Sequence, residues 1–135
     1  GNQLAMKAGT IVMNRVNCDD FLTTVIDNGE YIKERFLLLK DKVSIIGDVR
    51  GKGLMVGIEI INPKSSPDHL GSLTASGELA AKIQHMCFEK KLVMEKGGRF
   101  GSVMRCLCAL NITREDIEIM LNILDEVIME IDSSV

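Results

Sequence analysis

The sequence has no tryptophan, only two prolines and two histidines, and no long apolar run. No stretch reaches the ~18 apolar residues that a helix needs to cross a bilayer, and the first residues do not follow the basic-then-apolar order of a signal peptide. Lys and Arg (16) are fewer than Asp and Glu (19), so the chain lacks the basic excess of a nucleic-acid-binding domain. These absences argue against nucleic-acid and membrane partners and predict a cytoplasmic protein.

The four cysteines do not follow a disulfide or zinc pattern. Cys18 and Cys87 are isolated in sequence, and Cys106-x-Cys108 lacks the second pair that a zinc site requires. Reduced, mostly buried thiols are therefore predicted, with no metal site.

Familiar catalytic motifs are also missing. The chain contains neither a Gly-x-Ser-x-Gly elbow nor a Walker phosphate loop. His69 lies in a predicted loop, and His85 lies on a predicted helix with no acidic or thiol partner at ligand spacing. No catalytic residue is assigned from the residues alone.

What the sequence does contain is the pattern of one ordinary domain, with 135 residues of which 46% are hydrophobic. Gly51 and Gly53 favour a tight turn, and the apolar residues of 54–60 then alternate as in a strand, with Gly57 on the opposite face. A dinucleotide-binding loop would need a helix after these glycines, so that interpretation is disfavoured. A short strand at Ile45 and Ile46 is expected to pair antiparallel with this one.

Helical periodicity predicts four helices, and a hairpin lies between the last two. The second helix begins with Asp19 or Asp20 as its cap, and Asn28-Gly29 either interrupts it or costs it about 1 kcal/mol. The other segments are helices at 1–16, 74–91 and 113–132, a strand at 92–95, a turn at 96–101 and a strand at 103–107. The predicted fold class is therefore α+β, a small and largely antiparallel sheet with helices packed on one face.

Arg105 is the one candidate functional residue that the pattern itself marks. It interrupts the apolar run Val103–Leu107, and strand alternation places it opposite Met104 and Cys106. A guanidinium in such a strand needs a carboxylate or phosphate partner. From chemistry alone, both a structural ion pair and a ligand-binding role remain open.

Several segments resemble the class III aminotransferases, which depend on pyridoxal phosphate. They are Gly-Asn-Gln-Leu-Ala-Met at 1–6, Val-Arg-Gly-x-Gly-Leu-Met-x-Gly-Ile-Glu at 49–59 and Val-Met-Arg-Cys-Leu-Cys-Ala-Leu-Asn-Ile-Thr at 103–113. The chain is similar to the small C-terminal domain of these fold-type I enzymes, and above all to diaminobutyrate aminotransferases. The resemblance implies that Arg105 binds the α-carboxylate of the substrate. Cys108 and Ala109 replace the prolines usual in the turn that follows.

The resemblance also implies a domain organisation and a reaction. Residues 1–16 would be an interdomain helix leading out of a cofactor-binding domain, and 17–135 would be the small C-terminal domain. The full-length enzyme would use pyridoxal phosphate to move an amino group between 2,4-diaminobutyrate, or a similar ω-amino acid, and a 2-oxo acid, as a homodimer or higher oligomer. The Schiff-base lysine is expected upstream of Gly1, so this chain alone is expected to bind no cofactor and to be inactive. None of the lysines considered for that role has a suitable position, because all are expected in turns or on solvated faces. They are Lys52, Lys90, Lys91 and Lys96.

A second hypothesis is a freestanding interaction or regulatory module of the same fold, without catalysis. In either case the first helix has more apolar positions than one core-facing stripe requires. These positions are Leu4, Met6, Ile11, Val12 and Met13. They predict an interface, and self-association of the isolated chain through this helix.

Overall fold

A computed structural model describes residues 1–135, which form four α-helices and one four-stranded antiparallel sheet. The elements are α1 Gln3–Val16, α2 Asp19–Lys40, β1 Ile46–Lys52, β2 Met55–Ile60, α3 Gly77–Glu89, β3 Glu95–Gly97, β4 Val103–Leu107 and α4 Arg114–Ser133. The strand order is β1-β2-β4-β3, and every neighbouring pair is antiparallel. The predicted α+β class is confirmed. No helix is long and apolar enough to cross a membrane.

The hairpin of β1 and β2 has the predicted antiparallel pairing, but its turn is shorter than the sequence predicts. Lys52 pairs with Met55, and Gly51 lies inside β1 opposite Val56 rather than in the turn. Gly53 makes the reversal, because its φ of +53° is the left-handed conformation that a two-residue hairpin turn demands. Gly51 is needed for another reason, since a Cβ there would lie 2.3 Å from the carbonyl oxygen of Met55.

Helix α2 continues without a break through Asn28-Gly29. A Cβ added at Gly29 would lie 2.1 Å from the carbonyl oxygen of Gly53, so the glycine allows the helix to pack directly on the hairpin turn. The glycine that costs helix propensity thus permits a close backbone contact.

The predicted cap of α2 is wrong by one or two residues. Cys18 is the N-cap and makes no side-chain capping bond, while Asp19 and Asp20 occupy the first helical turn. Carboxylates in that turn still favour the helix, because they face the positive end of its dipole.

Helices α2, α3 and α4 supply the buried side chains that cover one face of the sheet, whereas α1 contributes none. In α4 the predicted seam is confirmed, since Ile117, Leu121, Leu124, Ile128 and Ile131 are all buried. Thr113 caps this helix by accepting a hydrogen bond from the backbone N–H of Asp116 at 3.1 Å. Such caps contribute about 1 kcal/mol.

The strand predicted at 92–95 lies instead at Glu95–Gly97, because the preceding residues are tied to α3. Lys91 adopts a left-handed φ of 68°, and the backbone N–H of Leu92 donates to the carbonyl of Cys87 at 2.8 Å. This is the hydrogen-bond pattern that commonly ends a helix, although a glycine usually occupies the left-handed position. The shift moves Glu95 from the end of the strand to the position opposite Arg105.

Candidate functional site on the open face of the sheet

The sheet has one face without helices, which we call the open face. One cross-strand row on this face comprises Arg50 of β1, Gly57 of β2, Arg105 of β4 and Glu95 of β3, each paired with the next in register. Because neighbouring strands lie about 4.8 Å apart, their side chains are close enough to interact. The row gathers two cations and a carboxylate around a glycine.

Arg105 lies on the open face as strand alternation predicts. Its neighbours Met104 and Cys106 are buried on the other face, with 0% and 2% exposure. The Arg105 guanidinium donates from Nη2 to Glu95 Oε1 at 2.5 Å. Its Nε is buried without a hydrogen-bond partner. Nη1 makes no hydrogen bond within the chain, so the guanidinium has donor capacity that the ion pair does not use.

The ion pair between Arg105 and Glu95 is exposed, with 41% and 47% of the two side chains accessible. Ion pairs of this kind contribute roughly 0 to 1 kcal/mol, because water competes for both charges. A second carboxylate can therefore displace or share the contact at small cost. An ion-pair role and a ligand-binding role are compatible in this geometry.

Arg50, the other cation of the row, is more fully neutralised. Its Nη1 donates to Asp48 Oδ2 at 2.7 Å and to Glu59 Oε2 at 2.8 Å. The bond from Arg50 lowers the pKa of Asp48 below its ordinary value. Arg50 thus forms ion pairs with two carboxylates of the chain, whereas Arg105 forms one, with Glu95. Arg105 is therefore the better candidate to bind an external anion.

A mainly apolar cleft of about 510 Å³ opens beside Arg105. Its walls come from the segment before β3, from β4 and from the start of α4. Its polar lining includes Glu95, Lys96, Arg105 and Asp116. An apolar cleft with a few converging polar groups is the usual form of a small-molecule site.

The buried cysteines do not have the properties of nucleophiles. Burial raises the pKa of Cys87 to about 11 and that of Cys106 to about 12, so both remain protonated thiols at neutral pH. Cys87 and Cys106 confirm the predicted buried thiols, whereas Cys18 is exposed.

His85 does have an acidic partner, contrary to the sequence-based expectation. Its Nε2 lies 3.4 Å from Glu89 Oε1, one helical turn away, and both side chains are well exposed. A single exposed pair of this kind is an ordinary surface interaction on a helix. His69 lies in the loop between β2 and α3 and is exposed.

Of the four lysines named above, three are exposed or paired and Lys96 is half-buried. Lys52 and Lys91 are exposed, and Lys90 Nζ donates to Glu126 Oε1 at 2.7 Å. That bond raises the pKa of Lys90. A Schiff-base lysine must instead lose its proton readily, so Lys90 does not fit that role.

Sequence reasoning identified Arg105 but missed Glu95 and Gly97 next to it. The register of the hairpin between β3 and β4 would have identified them, because Glu95 pairs with Arg105 only if β3 begins at residue 95. The left-handed cap at Lys91 that fixes this register carries no glycine, so the sequence did not reveal it.

The model of the class-III aminotransferase family matches residues 1–128 of the chain. The chain belongs to the class-III aminotransferase family. The predicted resemblance to this family is thereby confirmed.

Two relatives of this class-III chain have a more specific name. The diaminobutyrate–2-oxoglutarate aminotransferase of Haemophilus influenzae is 41% identical over 118 residues, covering 87% of this chain and 26% of the relative. The enzyme of that name from Rhizobium meliloti is 36% identical over 118 residues, covering 87% of this chain and 25% of the relative. The class-III chain thus spans about a quarter of the length of these relatives.

The fold of the class-III chain also matches solved structures. N-acetylornithine aminotransferase from Stenotrophomonas maltophilia K279a superposes with a TM-score of 0.79 and 21% identity, covering 100% of this chain and 33% of that one. At this identity the match concerns the fold alone. It agrees with the predicted fold-type I small domain.

Proposed function

We propose that this chain is the small domain of an aminotransferase acting on 2,4-diaminobutyrate, or a similar ω-amino acid, and a 2-oxo acid. Residues 1–16 serve as the interdomain helix, and residues 17–135 form the domain that closes over the active site. The identity of 41% and 36% to diaminobutyrate–2-oxoglutarate aminotransferases supports this substrate class. We also propose a cytoplasmic location for the enzyme.

Within this function, Arg105 binds the substrate carboxylate. The observation that carries the proposal is its contact with Glu95, because the guanidinium already holds a carboxylate at 2.5 Å on the open face. A planar guanidinium with spare donors is suited to bind a carboxylate through two hydrogen bonds. Arg105 would orient the donor, while pyridoxal phosphate in the complete enzyme supplies the electron sink for amino transfer.

The test is Arg105→Lys in the complete aminotransferase. We expect a higher KM for the amino donor and a kcat/KM that is lower by roughly 10 to 1000-fold, about 1.4 to 4 kcal/mol, because lysine cannot form the paired contact. Arg50→Lys is the matched control, since Arg50 lies in the same row but is bound by two carboxylates of the chain. Steady-state kinetics should leave this control near wild type.

An unchanged kcat/KM in Arg105→Lys, together with a lower melting temperature, would assign Arg105 to a structural ion pair with Glu95. The proposal of carboxylate binding would then be rejected.

We further propose that the chain alone binds no pyridoxal phosphate and does not transaminate. The paired state of Lys90 supports this, since an ammonium held by Glu126 is a poor Schiff-base former. Mixing the chain with the cofactor should give no stable imine band at about 420 nm. Covalent labelling on borohydride reduction at one lysine would contradict the proposal.

The partners that we propose are the cofactor-binding domain and a second subunit. The apolar side chains of α1 support this, because the helix buries none of its residues and Leu4 alone is 82% exposed. We expect the isolated chain to self-associate through α1, as measured by light scattering. A strict monomer at high concentration, with slow hydrogen exchange in residues 4–16, would contradict this.

The alternative of an interaction module without catalysis makes a separate prediction. A reading frame that encodes a cofactor-binding domain immediately upstream of Gly1 supports the enzyme. A stop codon there, with this chain as the whole product, supports the module.

A further inference from the structure

The guanidinium of Arg105 lies against Gly97 of β3. A Cβ added at residue 97 would lie 2.7 Å from Nη2, 2.8 Å from Cζ and 2.9 Å from Nε of Arg105. Nearly equal separations from three atoms of a planar group place that position over its face. Real Cβ atoms do not approach other atoms this closely, so a side chain at residue 97 would displace the guanidinium.

The backbone of residue 97 gives no other reason for a glycine. Gly97 pairs with Val103 in the regular part of the hairpin, and its φ is not positive. The next residue, Gly98, has a φ of +73° and needs its glycine for conformation. The glycine at residue 97 is therefore required because the guanidinium of Arg105 occupies the space that a side chain there would fill.

Two contacts together fix the orientation of this guanidinium. Gly97 supports its face, and Glu95 accepts a hydrogen bond from Nη2. Nε is buried without a partner, and Nη1 makes no hydrogen bond within the chain. Gly97 and Glu95 thus hold the guanidinium in one orientation, in which Nη1 has no partner within the chain.

We propose that Gly97 is a positioning residue for the carboxylate of the amino donor. It acts through Arg105, because only a residue without a side chain lets the guanidinium lie flat on β3. The inference rests on the proposed role of Arg105 in carboxylate binding. A displacement of about 1 Å in a binding group is enough to cost on the order of 100-fold in rate.

The experiment compares Gly97→Ala with wild type in the complete aminotransferase. We expect kcat/KM for the amino donor to fall by about 10 to 100-fold, with the larger part of the change in KM. An unchanged kcat/KM in Gly97→Ala overturns the inference.

A double-mutant cycle separates this role from a merely structural one. In an Arg105→Met background no guanidinium remains to be displaced, so Gly97→Ala should change kcat/KM by less than about 2-fold. An equal loss in both backgrounds would show that Gly97 acts on the fold and not through Arg105. If Gly97→Ala does not fold, folding restored by Arg105→Met supports the contact, and failure to restore it overturns the inference.

The same cycle distinguishes this inference from the proposal on which it rests. A large loss in Arg105→Met with a neutral Gly97→Ala rejects the role of Gly97 alone. A neutral Arg105→Met rejects carboxylate binding by Arg105, and with it the role of Gly97.

Discussion

The two faces of the sheet are built from the same strands, but one is buried under helices and only the other carries charged side chains. On the helix-covered face, Val56, Ile58 and Met104 are almost completely buried. On the open face, Glu59 and Arg105 lie among exposed apolar side chains such as Met55 and Leu107. Because strand side chains alternate, one strand can build the core and present a binding group at successive positions. Substitutions on the two faces should therefore affect different quantities.

The largest expected effect is on the covered face of β2. Ile58→Ala should lower the free energy of unfolding by about 2 to 5 kcal/mol, because Ile58 is only 1% exposed and its truncation leaves a cavity in the core. Met55→Ala on the open side of the same strand is the control, since Met55 is 65% exposed. Its effect should stay within about 0.5 kcal/mol. Denaturant unfolding of both variants measures the difference. Equal losses of unfolding free energy would contradict the proposed difference between the two faces.

A smaller effect is expected where α2 packs on the hairpin turn. Gly29→Ala should destabilise the chain by about 1 to 3 kcal/mol, because the new methyl group overlaps the carbonyl of Gly53 and the helix must move. Gly9→Ala, in the exposed helix α1, should instead stabilise its helix by about 0.5 to 1 kcal/mol. Thermal unfolding of the pair tests this, and a stabilising Gly29→Ala would show that the contact is not tight.

The covered face was predictable from the sequence for a simple reason. Burial selects apolar residues at fixed periods, so the seam of α4 and the alternation in β2 and β4 are visible without a structure. The position of Arg105 followed from the same alternation, since a cation between Met104 and Cys106 can only face outward.

The surroundings of Arg105 were not predictable because they depend on register and on a backbone conformation. The left-handed Lys91 ends α3 without a glycine and shifts β3, which brings Glu95 and Gly97 to Arg105. Likewise, the sequence leaves open a helix break at Asn28-Gly29, because the contact of Gly29 with the turn at Gly53 is visible only in the structure. Neither the local cap at Lys91 nor the tertiary contact at Gly29 has a periodic signal in the sequence.

Carboxylate binding by Arg105 is tested most directly by a crystal structure of the complete aminotransferase with an unreactive analogue of its amino donor. We expect a carboxylate oxygen of the analogue within about 3 Å of an Nη atom of Arg105, with the guanidinium still lying on Gly97. A carboxylate bound elsewhere, with Arg105 bonded only to Glu95, would contradict the assignment.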